Sequence, residues 1–284
     1  MLNKNTVNFI GCDSEYKEAK IVLYGAPFDS TTSFRPGARF ATQSIRNDSY
    51  GLETYSPYQD KDLSDIKVFD SGDIELPIGN SEKVINEIEN RADIIFNDNK
   101  LPFLIGGEHL VTLGAIKSAI KKYPDLNIIH FDAHTDLRED YLDVKLSHAC
   151  VIRRCWEIVG DGKIFQFGIR SGEKYEFMWA KDGHTKLQKF NFEGLNETIE
   201  DLKGKNVYFT IDLDILDPAY FSGTGTPEAG GVSFSELMQS VIKVCSGLNI
   251  IGCDVVELCP PYDNSGVSTA VACKIIREML LSIK

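Results

Sequence analysis

The sequence contains no Cys-x-x-Cys pair, no GxGxxG or GxxxxGK[ST] loop and no stretch of eighteen consecutive apolar residues, and each absence removes a class of protein. Seven cysteines, Cys12, Cys150, Cys155, Cys245, Cys253, Cys259 and Cys273, form an odd set that falls partly in apolar runs such as IIGCDVVELC. That usage argues against a disulfide scaffold or a zinc ribbon and predicts reduced core thiols. The missing glycine-rich loops exclude the common phosphate cradles. Without a long apolar run no transmembrane helix is expected. The opening MLNKNTVNFIGCDSEYKEAK lacks the apolar centre of a secretory leader, so a cytoplasmic protein that does not engage a membrane is expected. Basic residues are also in short supply, 30 Lys and Arg against 42 Asp and Glu, for a net charge of −12. Nucleic-acid affinity comes mainly from clustered Lys and Arg, so no nucleic-acid partner is expected; the acidity suits a small cationic ligand as readily as it suits simple solubility. No Pro/Gly/Ser-rich linker, repeat or low-complexity tract interrupts the chain, which predicts one domain over 1–284.

What is present has globular proportions: 43% apolar and 25% charged residues in a chain of 284, enough to bury a core without disulfide staples. Short β-branched runs recur at 20–25, 102–107, 127–132, 163–168, 207–214 and 249–258. Runs this apolar suit strands covered on both faces. Between them, 81–99, 109–123 and 233–247 carry helical periodicity, the last opening on a Ser-x-x-Glu capping box. The alternation predicts an α/β fold with a mostly parallel sheet, and the Ser/Tyr/Asp/Pro-rich segment 29–65 reads as irregular. In such sheets ligands sit beyond the carboxyl ends of the strands.

Three polar clusters fall at that edge: GGEH at 106–109, DAHTD at 132–136 and DLDILDP at 212–218, each directly after an apolar run. Residues at i, i+2 and i+4 of an extended segment point the same way, so Asp132, His134 and Asp136 share a direction, as do Asp212 and Asp214. A single such Asp or His is usually a cap or turn residue. Three strand ends that together present His109 and five further donors are harder to explain that way. Acidic groups gathered without counter-charge repel and raise one another's pKa, so the cluster calls for cations. Carboxylate and imidazole donors without thiolate favour Mn²⁺ over Zn²⁺ or Cu. Two such ions at a spacing of roughly 3.5 Å can share a water acidified to hydroxide near neutrality.

GGEH, DAHTD and DLDILDP in this order and spacing resemble the ureohydrolases, the family of arginases, agmatinases and formiminoglutamases. The resemblance spans nearly the whole chain and takes in APFDSTTSFRPGARFAT at 26–42 and GTGTPEAGG at 223–231, which are more similar to agmatinase-type members than to arginases. It implies a three-layer αβα fold around a mostly parallel, roughly eight-stranded sheet. It implies one Mn²⁺ held by His109, Asp132, Asp136 and Asp212, and a second held by Asp132, His134, Asp212 and Asp214, with a bridging hydroxide that attacks a guanidinium carbon. It also implies that His148, in KLSHACVIRR, shuttles the proton to the leaving amine and that Glu257, in CDVVELCPPYD, grips the guanidinium. Homotrimers or homohexamers are typical of the family.

The loop LREDYLDVKLS lacks the Asn/Ser-rich pattern with which arginases read an amino acid, and carries Arg138, Glu139, Asp140 and Asp143 instead. A net-acidic loop suits a ligand with a second cationic end, which makes agmatine the expected substrate and 4-guanidinobutanoate its nearest rival. Phe221, Ser222 and Ala229 depart from the family's usual residues near the expected substrate mouth. His130 is read as a core residue out of phase with the ligands, His184 as loop, Asp217 as a turn-fixing residue, and Gly106 and Gly107 as room for the backbone to approach the metals. Two other readings remain open: a single-zinc, deacetylase-like amidohydrolase, and a metal-binding homologue without catalysis, against which His148 and Glu257 argue.

Overall fold

The computed structural model describes residues 2–284. In chain order the elements are β1 (Ile21–Ala26), α1 (Ala41–Ser49), the short pair β2 (Tyr55–Ser56) and β3 (Lys61–Asp62), β4 (Val68–Asp73), α2 (Ser81–Asn97) and β5 (Leu101–Gly106). There follow α3 (Thr112–Lys122), β6 (Asn127–Phe131), α4 (Val151–Val159), β7 (Ile164–Ile169), α5 (Lys174–Trp179) and β8 (Lys186–Lys189). The chain ends with α6 (Leu195–Leu202), β9 (Asn206–Asp212), α7 (Phe234–Gly247), β10 (Asn249–Val256) and α8 (Val267–Ser282). Among the described residues eight strands form one sheet in the order β4-β1-β5-β10-β9-β6-β7-β8, and every pairing within it is parallel.

Alternation along each strand makes the layers. Ile21 and Leu23 of β1 join a core with residues of α1, α6, α7 and α8. Val22 and Tyr24 join the opposite core, with α2, α3 and α4. The sheet is therefore sandwiched between helices, the expected three-layer αβα arrangement. Each fully buried aliphatic or aromatic side chain contributes roughly 1.5–3 kcal/mol against solvent exposure. The capping box at the start of α7 is present: Glu236 N donates to Ser233 Oγ at 3.2 Å and Ser233 N to Glu236 Oε2 at 2.8 Å. All seven cysteines are buried and free. Among the described residues no helix is long and apolar enough to cross a membrane.

The segment expected to be irregular, 29–65, contains α1 and the β2–β3 pair. Its helical signal is weak because α1 is mostly polar, ATQSIRNDS. What fixes it is a buried ion pair: Arg46, 3% exposed, donates Nε and Nη2 to Asp70 of β4 at 2.9 and 3.0 Å. The same pairing explains why β4, VFDSGD, escapes an apolar-run reading. Helix α8 is obscured for the opposite reason. It is buried on nearly every face, with Ser268, Thr269, Arg277, Glu278 and Ser282 among the covered residues, so no clean amphipathic period shows.

Candidate metal centre

Strands β5, β10, β9 and β6 lie side by side at the middle of the sheet, and their carboxyl ends deliver the site. Phe131 pairs in register with Ile211, and Asp212 with Val256, so Asp132, Asp212 and Glu257 emerge at one level. His109 opens a 3₁₀ turn after β5, and Asp214 sits in another after β9. Two of these residues have left-handed backbone, Asp136 at φ 52° and Glu257 at φ 65°, a conformation that costs a non-glycine residue roughly 1–2 kcal/mol. For Glu257 the turn is held by its N–H donating to Gly107 O at 2.9 Å and by its Oε1 accepting His109 N at 2.8 Å.

Backbone amides brace one oxygen of each of three carboxylates. His134 N donates to Asp132 Oδ1, Asp214 N to Asp212 Oδ1 at 2.9 Å, and Ala133 N to Asp214 Oδ1 at 3.1 Å. The other oxygens turn inward. Asp132 Oδ2, Asp136 Oδ2 and Asp212 Oδ2 lie 3.1, 3.3 and 3.3 Å from His109 Nδ1, yet that buried nitrogen makes no directed hydrogen bond among the described residues. Its protonation follows from the far side of the ring. Thr210 Oγ1 donates its single proton to Asp254 Oδ1 at 2.6 Å, so it must accept from His109 Nε2 at 2.9 Å. In the neutral ring Nδ1 is then a lone pair facing three carboxylate oxygens, a repulsive arrangement unless a cation lies between them. The donor set therefore fits a divalent metal.

Donor atoms of His109, His130, Asp132 and Asp136 gather closely, and a second group of His134, Asp132 and Asp214 shares Asp132 with them, while Asp212 falls in neither; His134 Nδ1 is 2.9 Å from Asp214 Oδ2 and 3.5 Å from Asp132 Oδ1. His130 corrects the sequence reading. Two residues before Asp132 on an extended strand, it is in phase, and its Nε2 lies 2.7 Å from Asp132 Oδ2. Its tautomer is set behind it. Gln166 Oε1 accepts Thr185 Oγ1 at 2.9 Å, which turns the Gln166 amide nitrogen toward His130 Nδ1 at 3.1 Å. Nδ1 accepts, so Nε2 carries the proton and donates to Asp132. His130 thus orients a carboxylate and has no lone pair left for a metal.

The electrostatics show the same demand for cations. Burial and the neighbouring Asp132 charge push Asp136 up to about 7, and burial with Asp214 and Asp132 pushes Asp212 well above the usual carboxylate range. Burial opposes charge on His109, but contacts with Asp132, Asp136 and Asp212 raise it well above an ordinary imidazole. Asp132, although buried, is held low by His130, His109 and His134. Burial, then Glu108, raises Glu257 well above its ordinary value.

A cavity of 330 Å³ opens over the cluster, lined by His134, Asp136, Asp212, His148 and Glu257, with Arg138, Tyr141 and Glu173 farther along its wall. A larger cleft of 770 Å³ carries Lys174, Lys181 and Lys189 but no carboxylate or imidazole, so the chemistry belongs to the smaller one. His148 is hydrogen-bonded to a loop that the sequence alone leaves without a role: its N–H donates to Thr31 Oγ1 at 3.0 Å and its Nε2 lies 3.1 Å from Ser33 Oγ. Burial depresses its imidazole to about 4.

Other assignments are sharpened or overturned. Asp217 fixes a turn as expected, accepting Ala219 N, Gly230 N and Gly231 N at 3.0, 2.8 and 3.1 Å. His184, read as loop, closes a π-turn and stacks on Trp179 at 4.3 Å. Gly106 and Gly107 do not make room for metals. A Cβ on Gly107 would lie 2.0 Å from Phe28 O, and one on Gly106 2.5 Å from Val256 Cγ1. Phe221 is fully buried in the core, while Ser222 and Ala229 are exposed. Beyond the predicted residues, Arg170 ties the DLDILDP loop to GTGTPEAGG, donating to Asp214 O at 2.7 Å and Glu228 O at 2.9 Å. Its signal, an arginine at the end of an apolar strand, is too common to single out.

Comparison with known proteins agrees with this geometry. The profile of the arginase family matches residues 19–282. The chain is 50% identical to the agmatinase of Bacillus subtilis over 96% of its own length and 95% of that protein. It is 48% identical to the agmatinase of Bacillus cereus over the same shares. The crystal structure of the agmatine ureohydrolase of Thermoplasma volcanium superposes with a TM-score of 0.89 at 33% identity, covering 98% of this chain and 94% of that one.

Proposed function

This chain belongs to the arginase family, hydrolases of carbon–nitrogen bonds in linear amidines, and from that premise we propose that it cleaves agmatine to putrescine and urea with two Mn²⁺ per subunit. The observation that carries the metal half of this reading is the His109 Nδ1 lone pair set among three inward carboxylate oxygens. One ion would be held by His109, Asp132, Asp136 and Asp212, the other by Asp132, His134, Asp212 and Asp214. When bound, the pair supplies a strongly acidified water as the nucleophile.

The chain's own residues do the rest. Glu257 spends Oε1 on His109 N, which leaves Oε2 as a fixed acceptor for the planar N–H fork of a guanidinium. His148 lines the cavity over the cluster, where its imidazole can pass a proton to the leaving amine. Arg138 is drawn aside by Glu173 at 3.4 Å, and the cavity wall carries Glu173, Glu176 and Glu257 but no second Lys or Arg, so its sign is acidic. That sign suits agmatine's distal ammonium better than the carboxylate of arginine or 4-guanidinobutanoate. Cytoplasmic location, a single ureohydrolase domain and a trimeric or hexameric assembly complete the reading.

The test is urea release from Mn²⁺-loaded protein with agmatine, arginine, 4-guanidinobutanoate and formiminoglutamate side by side, together with elemental analysis of metal per chain. Agmatine should be the preferred substrate and two metals should be found. Activity confined to arginine would reject the substrate, and one zinc per chain would reject the paired centre.

A further inference from the structure

We infer that Thr31 and Ser33 are the positioning residues for His148, anchored through Glu108 to the loop that presents His109; the inference rests on His148 being the proton carrier proposed above. Glu108 is completely buried, and both its oxygens are taken by the 31–32 segment. Thr31 N donates to Oε2 at 2.8 Å, Thr31 Oγ1 to Oε1, and Thr32 Oγ1 reaches Oε2 at 3.4 Å. A threonine hydroxyl has one proton. With that proton committed to Glu108, Thr31 Oγ1 is left as an oriented acceptor, and it takes the His148 backbone N–H at 3.0 Å.

The loop is also pinned at its base, where Glu108 N donates to Phe28 O at 2.7 Å. This approach is open only because residue 107 is glycine, since a Cβ there would sit 2.0 Å from Phe28 O. The position of His148 is therefore referenced, through Thr31 and Glu108, to the chain segment that carries His109. A shift of about 1 Å at a reacting group can cost a hundredfold in rate, so a histidine outside the metal cluster needs such a tie.

Ser33 acts on the ring. Its hydroxyl, 3.1 Å from Nε2, rotates freely and serves as donor or acceptor. It donates to Nε2 when the neutral ring carries its proton on Nδ1, and accepts when Nε2 is protonated. A partner of either kind is therefore available in each protonation state of the ring, so ring orientation holds through both charge states.

The experiment compares Thr31→Val, Thr31→Ser, Ser33→Ala and Ser33→Thr, each also combined with His148→Asn. Thr31→Val should lower kcat on the order of tenfold with KM and metal content unchanged, and Thr31→Ser should restore most of the loss. Ser33→Ala should act the same way more weakly, with rescue by Ser33→Thr. In the His148→Asn background neither loss should appear, because coupled residues are non-additive. A Thr31→Val defect that persists in that background, or that Thr31→Ser fails to relieve, would overturn the inference. The ¹⁵N shifts of the His148 ring in metal-free protein give a reading that needs no turnover: Ser33→Ala should move the Nε2 resonance, and an unmoved resonance would count against Ser33 even if no guanidine proves to be a substrate. Failure of the functional reading is separate, since it shows as wild-type protein releasing no urea or as His148→Asn with unchanged turnover.

Discussion

At the scale of single residues, hydroxyl and amide groups outside the cluster decide which nitrogen of each histidine can bind a cation. Thr210 and Asp254 leave Nδ1 of His109 as the lone pair, whereas Gln166, oriented by Thr185, donates to Nδ1 of His130 and so keeps that ring's proton on Nε2. Replacing the partner of a ligating histidine typically costs about 10–100-fold in metal affinity. Thr210→Val should weaken Mn²⁺ binding by that order while leaving the fold intact, which titration with circular dichroism as control would check; unchanged affinity would mean that the hydroxyl does not hold the tautomer. The cluster itself was legible in the sequence because five of its six donors fall in two short runs, 132–136 and 212–214, at strand ends. Their supports were not, since His148 and Thr31 are 117 residues apart, and His109 and Thr210 are 101 apart. The His130 misreading was different in kind, an error of phase on a strand whose period of two could have placed it.

Among the elements the sequence concealed, α1 and β4 are held by polar contacts rather than by an apolar stripe. Helix α1 and strand β4 meet through Arg46 and Asp70, both nearly inaccessible. Removing one partner of a buried pair leaves the other charge uncompensated, at about 3–5 kcal/mol. Arg46→Met should lower the urea unfolding midpoint accordingly, and a shift below about 1 kcal/mol would show that β4 does not depend on the pair. Helix α8 begins at a carboxyl that accepts Ser268 N at 2.7 Å and Ser265 N at 3.0 Å. Burial would raise Asp263, but the side chains of Ser265 and Ser268, with these two amides, pull it down to about 2. A carboxyl depressed in the folded state adds stability that is complete above its unfolded value near 4 and is lost as pH falls through the folded value. Asp263→Asn should therefore be destabilised at neutral pH, with the gap to wild type closing as the solution is acidified below about pH 4; a gap constant across that range would refute the assignment.

Taken as a whole, the molecule was legible as an α/β fold because its central strands are apolar on both faces. The edge strands were not: β4 carries two acidic residues, and β8, KLQK, is exposed at both ends. The site lies where the apolar signal is strongest, so sequence and structure agree best where function is placed. Divalent ions should stabilise the native state alone, by about 2.7 kcal/mol at a hundredfold excess over the dissociation constant. Thermal unfolding with Mn²⁺ and with chelator would measure this, and coincident melting curves would speak against a preformed centre.

The sheet order has one more consequence, for the timing of assembly during synthesis. Strand β10 is the last strand of the chain, yet it pairs with β5 on one side and β9 on the other. A growing polypeptide that has completed nine strands still has a gap through the middle of its sheet, and the donors from β5 stand apart from those of β6 and β9. The final strand closes that gap and brings Glu257 with it, so the cluster can be complete only after most of the protein has been made.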